Sequence, residues 1–242
     1  MNSNMRIYSL FCEIIQFFFF PVLKWQGNQL RKDVLKLPEA IGPRSGRLGD
    51  GQKLNILIIG DSSACGVGVK SINKSLAGYL IKELSENYDC NWKIIAKSGL
   101  TTSDLIRLIK EQNDSLFDSI VISIGMNDIT SGISRERWLK QLEKLQILLQ
   151  KKFSTKRLIF CGVPPIEKFK IIPNPLKQIL ALKAHLFNMS LSKFCNKDLV
   201  KTYLSINLPF GEEMLAADGF HPSEEFYKLW ARITHDMITN NK

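Results

Sequence analysis

Five residues, set at four separate places in this sequence, have the types that acyl transfer requires: Ser62, Gly99, Asn127, Asp218 and His221. The reaction needs a hydroxyl nucleophile, an imidazole to take its proton, a carboxylate to orient the imidazole and donors for the oxyanion. Ser62 follows an apolar run, Leu54–Ile59, and a Gly60 turn that would lift its hydroxyl out of a strand end. Asp218 lies three residues before His221, a spacing that one short turn converts into contact between the carboxylate and imidazole Nδ1. The Gly99 N–H and the Asn127 amide, each just after another apolar run, would join the Ser62 N–H as oxyanion donors.

Each signal alone is weak. Gly-Asp-Ser occurs in many turns, and Asn127-Asp128 taken singly reads as turn chemistry. Of the three histidines, His185 and His235 lie in helical patterns, and only His221 sits in a turn with an aspartate partner. Two rival motifs fall short. Gly66-Val67-Gly68 resembles the start of a dinucleotide loop, but Ser71 stands where the third glycine belongs. Gly60-x-Ser62-x-Ala64 is a near miss to a nucleophile elbow, but it follows the first strand, and the aspartate adjoins the histidine. Cys65 beside the nucleophile reads as a small packing residue rather than a reactive thiol.

Taken together and in this order, the blocks resemble the SGNH (GDSL-like) hydrolases. Gly60-Asp61-Ser62 matches the first block, Gly99 the second, Gly125-Met126-Asn127-Asp128 the third and Asp218-Gly219-Phe220-His221 the last. The resemblance covers roughly residues 54–238. It implies a three-layer αβα sandwich of the flavodoxin kind, ester or thioester hydrolysis, no cofactor and no metal, and a structural rather than catalytic Asp128. Ser63 stands where the family usually has Leu, which moves the chain away from the best-known members.

The elements that must position these residues alternate. Apolar runs at 54–59, 92–96, 119–124, 158–163 and 200–206 read as buried strands. Helical spacing recurs over 72–87, 102–112, 134–151, 175–195 and 222–239, with Pro222 at the start of the last. This alternation predicts an α/β fold with a mainly parallel five-stranded sheet covered on both faces, and ligands at the carboxyl ends of the strands. Two regions are expected: residues 1–53, an apolar helix followed by a Gly/Pro/Arg-rich extended arm over 24–53, and residues 54–242, the hydrolase domain.

Residues 7–23 are apolar apart from one stripe, Ser9, Glu13 and Gln16. They fit a helix lying in a membrane interface or packed on the protein's own core; an uncleaved anchor is a third reading. No signal-peptidase-like site follows, and the run is short for a membrane span. The formal charge is +10. Most of the basic residues are spread along helical segments without interleaved aromatics, so no nucleic-acid surface is expected. The five cysteines, odd in number and without a CxxC pair, argue against a disulfide framework or a zinc site and toward a reducing compartment. The expected partner is a small acyl ester, and the expected location is cytoplasmic or peripheral to the inner membrane. No feature of the sequence points to a particular oligomeric state. Lipid-like esters suit the apolar N-terminus and the basic charge. A carbohydrate acetylesterase is the second reading, and a peripheral membrane-binding protein with a vestigial site is the third.

Overall fold

A computed structural model describes residues 19–206 and 211–240. Its centre is a six-stranded sheet: β1 (Ser45–Leu48), β2 (Gln52–Gly60), β3 (Tyr88–Ala96), β4 (Ser119–Ser123), β5 (Arg157–Cys161) and β6 (Lys201–Leu204). The strand order is β1-β3-β2-β4-β5-β6. The last five are mutually parallel and correspond to the five predicted strands. The sixth is β1, which pairs antiparallel with β3 at the edge.

The sheet is buried on both faces, which is why its strands are continuous apolar runs rather than alternating ones. Along β2, Leu57 and Ile59 point into one core, and Ile56 and Ile58 into the other. β4 divides in the same way, with Ile120 and Ile122 on one side and Val121 on the other. The first core is closed by α3 (Thr102–Lys110), α5 (Arg135–Phe153) and α6 (Leu176–Cys195). The second is closed by α2 (Leu76–Leu84) and α7 (Glu224–Thr239). These are the three layers expected of this α/β class. The register aligns Gly60 of β2 with Ala96 of β3 and with Ser123 of β4. The chain therefore leaves three neighbouring strands at one level. β3 lies on one side of β2 and β4 on the other, so the connections run in opposite directions and open a crevice there.

Three local features differ from the sequence reading. Helix α7 is started by Ser223, whose side chain accepts the Phe226 N–H at 3.3 Å; Pro222 lies just outside. A hydroxyl can satisfy one of the first unpaired N–H groups of a helix, and proline cannot. Residues 126–130 form a short helix, α4 (Met126–Thr130), rather than a plain turn.

The largest difference lies in the segment read as an arm. Helix α1 includes residues 19–33, so only 34–44 run as irregular chain before β1. Residues 7–18 of the predicted apolar helix lie outside the described residues. Helix α1 turns Leu23 and Leu30 onto the first core. Gln26 latches it there: its Nε2 donates to the Asn174 carbonyl at 2.6 Å, and its Oε1 accepts the Leu176 N–H at 3.1 Å. Leu176 opens α6, so Gln26 satisfies an orphan donor at that helix start. Helix α1 also leaves Phe19, Phe20, Val22 and Trp25 exposed, Trp25 by 63%. Among the described residues no helix is long and apolar enough to cross a membrane.

Candidate active site

The five sequence-predicted residues gather at the carboxyl edge of the sheet. Ser62 follows β2, Gly99 follows β3, Asn127 lies in α4 just after β4, and Asp218 and His221 lie in the loop before α7. The turn after β2 depends on Gly60, whose φ is 154°; a Cβ there would sit 2.0 Å from the Ser123 carbonyl oxygen. A second close approach joins the two halves of the site. Gly68, at φ 109°, lies so near Pro222 that a Cβ would meet the Pro222 carbonyl oxygen at 2.1 Å. Tyr227 Oη of α7 also donates to the Val67 carbonyl at 2.7 Å. The Ser62 loop and the His221 loop are thus held against each other.

The side chains form one hydrogen-bonded chain. Ser62 Oγ lies 3.0 Å from His221 Nε2, and His221 Nδ1 lies 2.5 Å from Asp218 Oδ2. The other carboxylate oxygen, Asp218 Oδ1, accepts the backbone N–H groups of Phe220 at 3.0 Å and His221 at 2.9 Å. Burial pushes the Asp218 carboxyl up, but the His221 ring and these two N–H groups outweigh it and hold the group below its ordinary range. Asp218 is therefore an acceptor at neutral pH, which directs the Nδ1 proton toward it and leaves Nε2 as the lone pair facing Ser62.

The expected oxyanion donors divide into two kinds. The N–H groups of Ser62 and Gly99 have no protein acceptor among the described residues. Both residues line the same cavity. Gly99 adopts φ 82°, and a Cβ there would meet nothing within 4 Å. Asn127 differs from the expectation. Its Nδ2 donates to the Leu100 carbonyl at 3.0 Å and, more loosely, to Asp61 Oδ2 at 3.4 Å. Both amide hydrogens are engaged, so an oxyanion would have to take over the weaker contact.

Supporting residues frame the site, and of these only Asp128 was marked in the sequence, as a structural member of the third block. Asp128 is buried and accepts from the Thr102 N–H at 3.0 Å and Thr102 Oγ1 at 2.9 Å, while Trp138 Nε1 donates to Thr102 Oγ1 at 3.1 Å. This fastens the start of α3 to α4 and so frames Gly99 and Asn127 without touching Ser62. Glu39, on the irregular chain before β1, accepts from the Ser98 N–H at 2.9 Å and Ser98 Oγ at 2.8 Å, next to Gly99. Cys65 is fully buried, and burial pushes its thiol up to about 12, so it is not a thiolate nucleophile.

Asp61 is a buried carboxyl whose Oδ1 accepts the Ser63 N–H at 3.2 Å. Burial raises its pKa from an ordinary 3.8 to about 7. An acid with a raised folded pKa contributes fully to stability below its unfolded value and loses that contribution as pH rises toward the folded one. Asp61→Asn keeps an acceptor for Ser63 and removes the ionisation. Its stability relative to wild type should therefore improve as the pH rises from about 4 to about 7, by at most about 1.4 kcal/mol for each step of one in pH. Thermal melts across that range check this; a pH-independent difference contradicts it.

The site opens into a cavity of about 300 Å³ that contains Ser62, Gly99, Asn127 and His221. Its remaining wall is mostly apolar, including Ile124, Val163, Phe169, Ile206 and Leu215. A GDSL-like lipase/acylhydrolase family model matches residues 58–229, and the chain belongs to that family. It is a hydrolase of ester bonds. Solved structures share the fold at low identity. A GDSL lipolytic protein from Veillonella parvula is 18% identical, with a TM-score of 0.62 over 78% of this chain and all of its own. TesA is 17% identical, with a TM-score of 0.58 over 77% of this chain and 98% of its own. A family 2 carbohydrate esterase from Corynascus thermopiles is 14% identical, with a TM-score of 0.63 over 79% of this chain and 67% of its own. No curated protein matches the sequence.

Proposed function

We propose that the chain cleaves lipid-like acyl esters through an acyl-enzyme on Ser62. The observation that carries the reading is the unbroken Ser62–His221–Asp218 hydrogen-bonded chain beside an apolar cavity. His221 Nε2 takes the Ser62 proton as Oγ attacks the ester carbonyl. The oxyanion is met by the Ser62 and Gly99 N–H groups and by Asn127 Nδ2. As the tetrahedral intermediate collapses, the Nε2 proton passes to the leaving oxygen and the alcohol departs. Water then adds to the acyl-enzyme with His221 again as base, and releases the acid and the serine. Asp218 holds the ring in the required tautomer throughout. The apolar wall favours an acyl chain over a sugar, whose hydroxyls would be left without partners there. A fluorophosphonate probe should label wild type on Ser62 and leave Ser62→Ala unlabelled. Absence of label on the wild type would mark the site as vestigial.

We also propose that the outer face of α1 touches lipid surfaces. Val22 and Trp25 are exposed and lie outside the lining of either cavity, with Lys32 on the same helix, a composition suited to an anionic interface. Trp25→Ser with Val22→Ser should reduce co-sedimentation with phosphatidylglycerol vesicles; equal pelleting counts against the contact.

A further inference from the structure

Beneath α1 lies a second chamber of about 690 Å³, floored by α4 and α6 and reaching back to Asn127, Phe220 and His221. Leu37, Asn127, Phe220 and His221 line both cavities, so the chamber opens onto the reacting centre. Its roof is supplied by residues 20–37, none of which falls within the family match at 58–229. It is therefore an addition of this chain to the family's domain, held in place by the Gln26 latch.

Its lining has two chemistries. Leu23, Leu30, Ile179 and Leu180 offer an apolar surface. Four charged side chains, Lys24, Arg31, Lys36 and Lys183, also line it, and none of the described lining residues is acidic. Lys183 additionally reaches the Ile129 carbonyl at 3.4 Å, and Arg31 reaches Asn28 Oδ1 at 3.5 Å. A purely apolar acyl tunnel has no use for four cations, and a site for a small inorganic anion has no use for the aliphatic floor. An amphiphile carrying negative charge satisfies both.

We propose that this chamber binds the leaving-group half of an anionic amphiphilic ester, a phospholipid whose glycerophosphate headgroup meets the lysine and arginine rim while a retained chain lies on α6. The assignment rests on the acyl hydrolase reading above. His221 gives it direction. The imidazole must protonate the leaving oxygen, so the departing half sits on the side of His221, and His221 forms the passage into the chamber. The acyl half then occupies the smaller cavity beside Ser62. The reaction balances as an ordinary hydrolysis: the acyl C–O bond breaks, water supplies OH to the acid and H to the glycerophosphate alcohol.

The test compares dihexanoyl phosphatidylglycerol, kept below its critical micelle concentration so that surface docking does not contribute, with neutral p-nitrophenyl butyrate. Two variants act on different properties of the chamber. Lys24→Glu with Arg31→Glu reverses charge at the rim. Gly27→Trp fills the space without threatening the helix, because a Cβ at Gly27 meets nothing within 4 Å and glycine is itself a poor helix residue. In both, the ratio of kcat/KM for the phospholipid to that for the nitrophenyl ester should fall at least about tenfold, equivalent to about 1.4 kcal/mol of lost discrimination. A ratio unchanged in either variant, or a wild type inert toward the phospholipid while it cleaves the nitrophenyl ester, overturns the chamber assignment and leaves the acyl hydrolase reading intact. Nitrophenyl cleavage that survives fully in Ser62→Ala would instead overturn the reading beneath it.

Discussion

Ser62→Ala is expected to lower kcat/KM for p-nitrophenyl butyrate by about three to six orders of magnitude, with no comparable loss of fold. The size follows from position. Ser62 Oγ is the only hydroxyl hydrogen-bonded to His221 Nε2 among the described residues, so no neighbour can inherit the attack. Ser63 is adjacent in sequence, but its N–H is committed to Asp61 and its hydroxyl has no bond to the imidazole. Residual rate would come from the free N–H groups of residue 62 and Gly99 polarising a bound ester. Stability should change little, because the Ser62 side chain makes one partly exposed hydrogen bond and fills no core space. A variant that retains full rate while the wild type is active would place the nucleophile elsewhere.

Asp218→Asn is expected to cost about three to four orders of magnitude in kcat. The substitution is nearly isosteric, and the asparagine oxygen can still accept the Phe220 and His221 N–H groups that shape the loop. What changes is the group facing Nδ1. An amide NH2 there donates, so Nδ1 must accept, and the ring proton moves to Nε2. That tautomer presents a donor to Ser62 and cannot take its proton. The same geometry sets a pH dependence. Asp218 is held below its ordinary range, so its contribution is present at neutral pH and is lost only as pH falls through that lowered value. Wild-type activity should not show an acid limb from Asp218 at about pH 4 or above. Rate measurements on both proteins across pH check the two statements together. A kcat within tenfold of wild type would show that Asp218 does not set the tautomer.

Much of this site was legible in the sequence because its chemistry restricts residue types and its fold restricts where they stand. Gly60 must be glycine for the strand to pass the Ser123 carbonyl, and Ser62, Gly99 and Asn127 each follow a strand that the apolar pattern reveals. The N-terminal region was not legible for equally physical reasons. Residues 24–33 contain Gly27 and a run of polar side chains, and their helix is held by Gln26 bonding to Asn174 and Leu176, about 150 residues away. No local period encodes such a latch. β1 reads Ser-Gly-Arg-Leu, exposed at all four positions and without alternation, and its strand pairing is with β3. The engagement of Asn127 was hidden as well, since its competitor is the Leu100 carbonyl, a backbone atom that any residue would supply.

That edge strand carries a further consequence. The parallel sheet would otherwise end at β3, whose outer side presents a row of unpaired N–H and C=O groups to any other extended chain. β1 occupies that row over Ser45–Leu48, and Arg47 ties it down through Asp89. This cover, like the roof over the second chamber, is built from residues that precede the family match. β1 thereby becomes the sheet's edge, and an edge of four residues carrying Arg47 is a poorer template for strand-to-strand association than the nine-residue β3 would be. Removing residues 45–48 would return the edge to the longer β3.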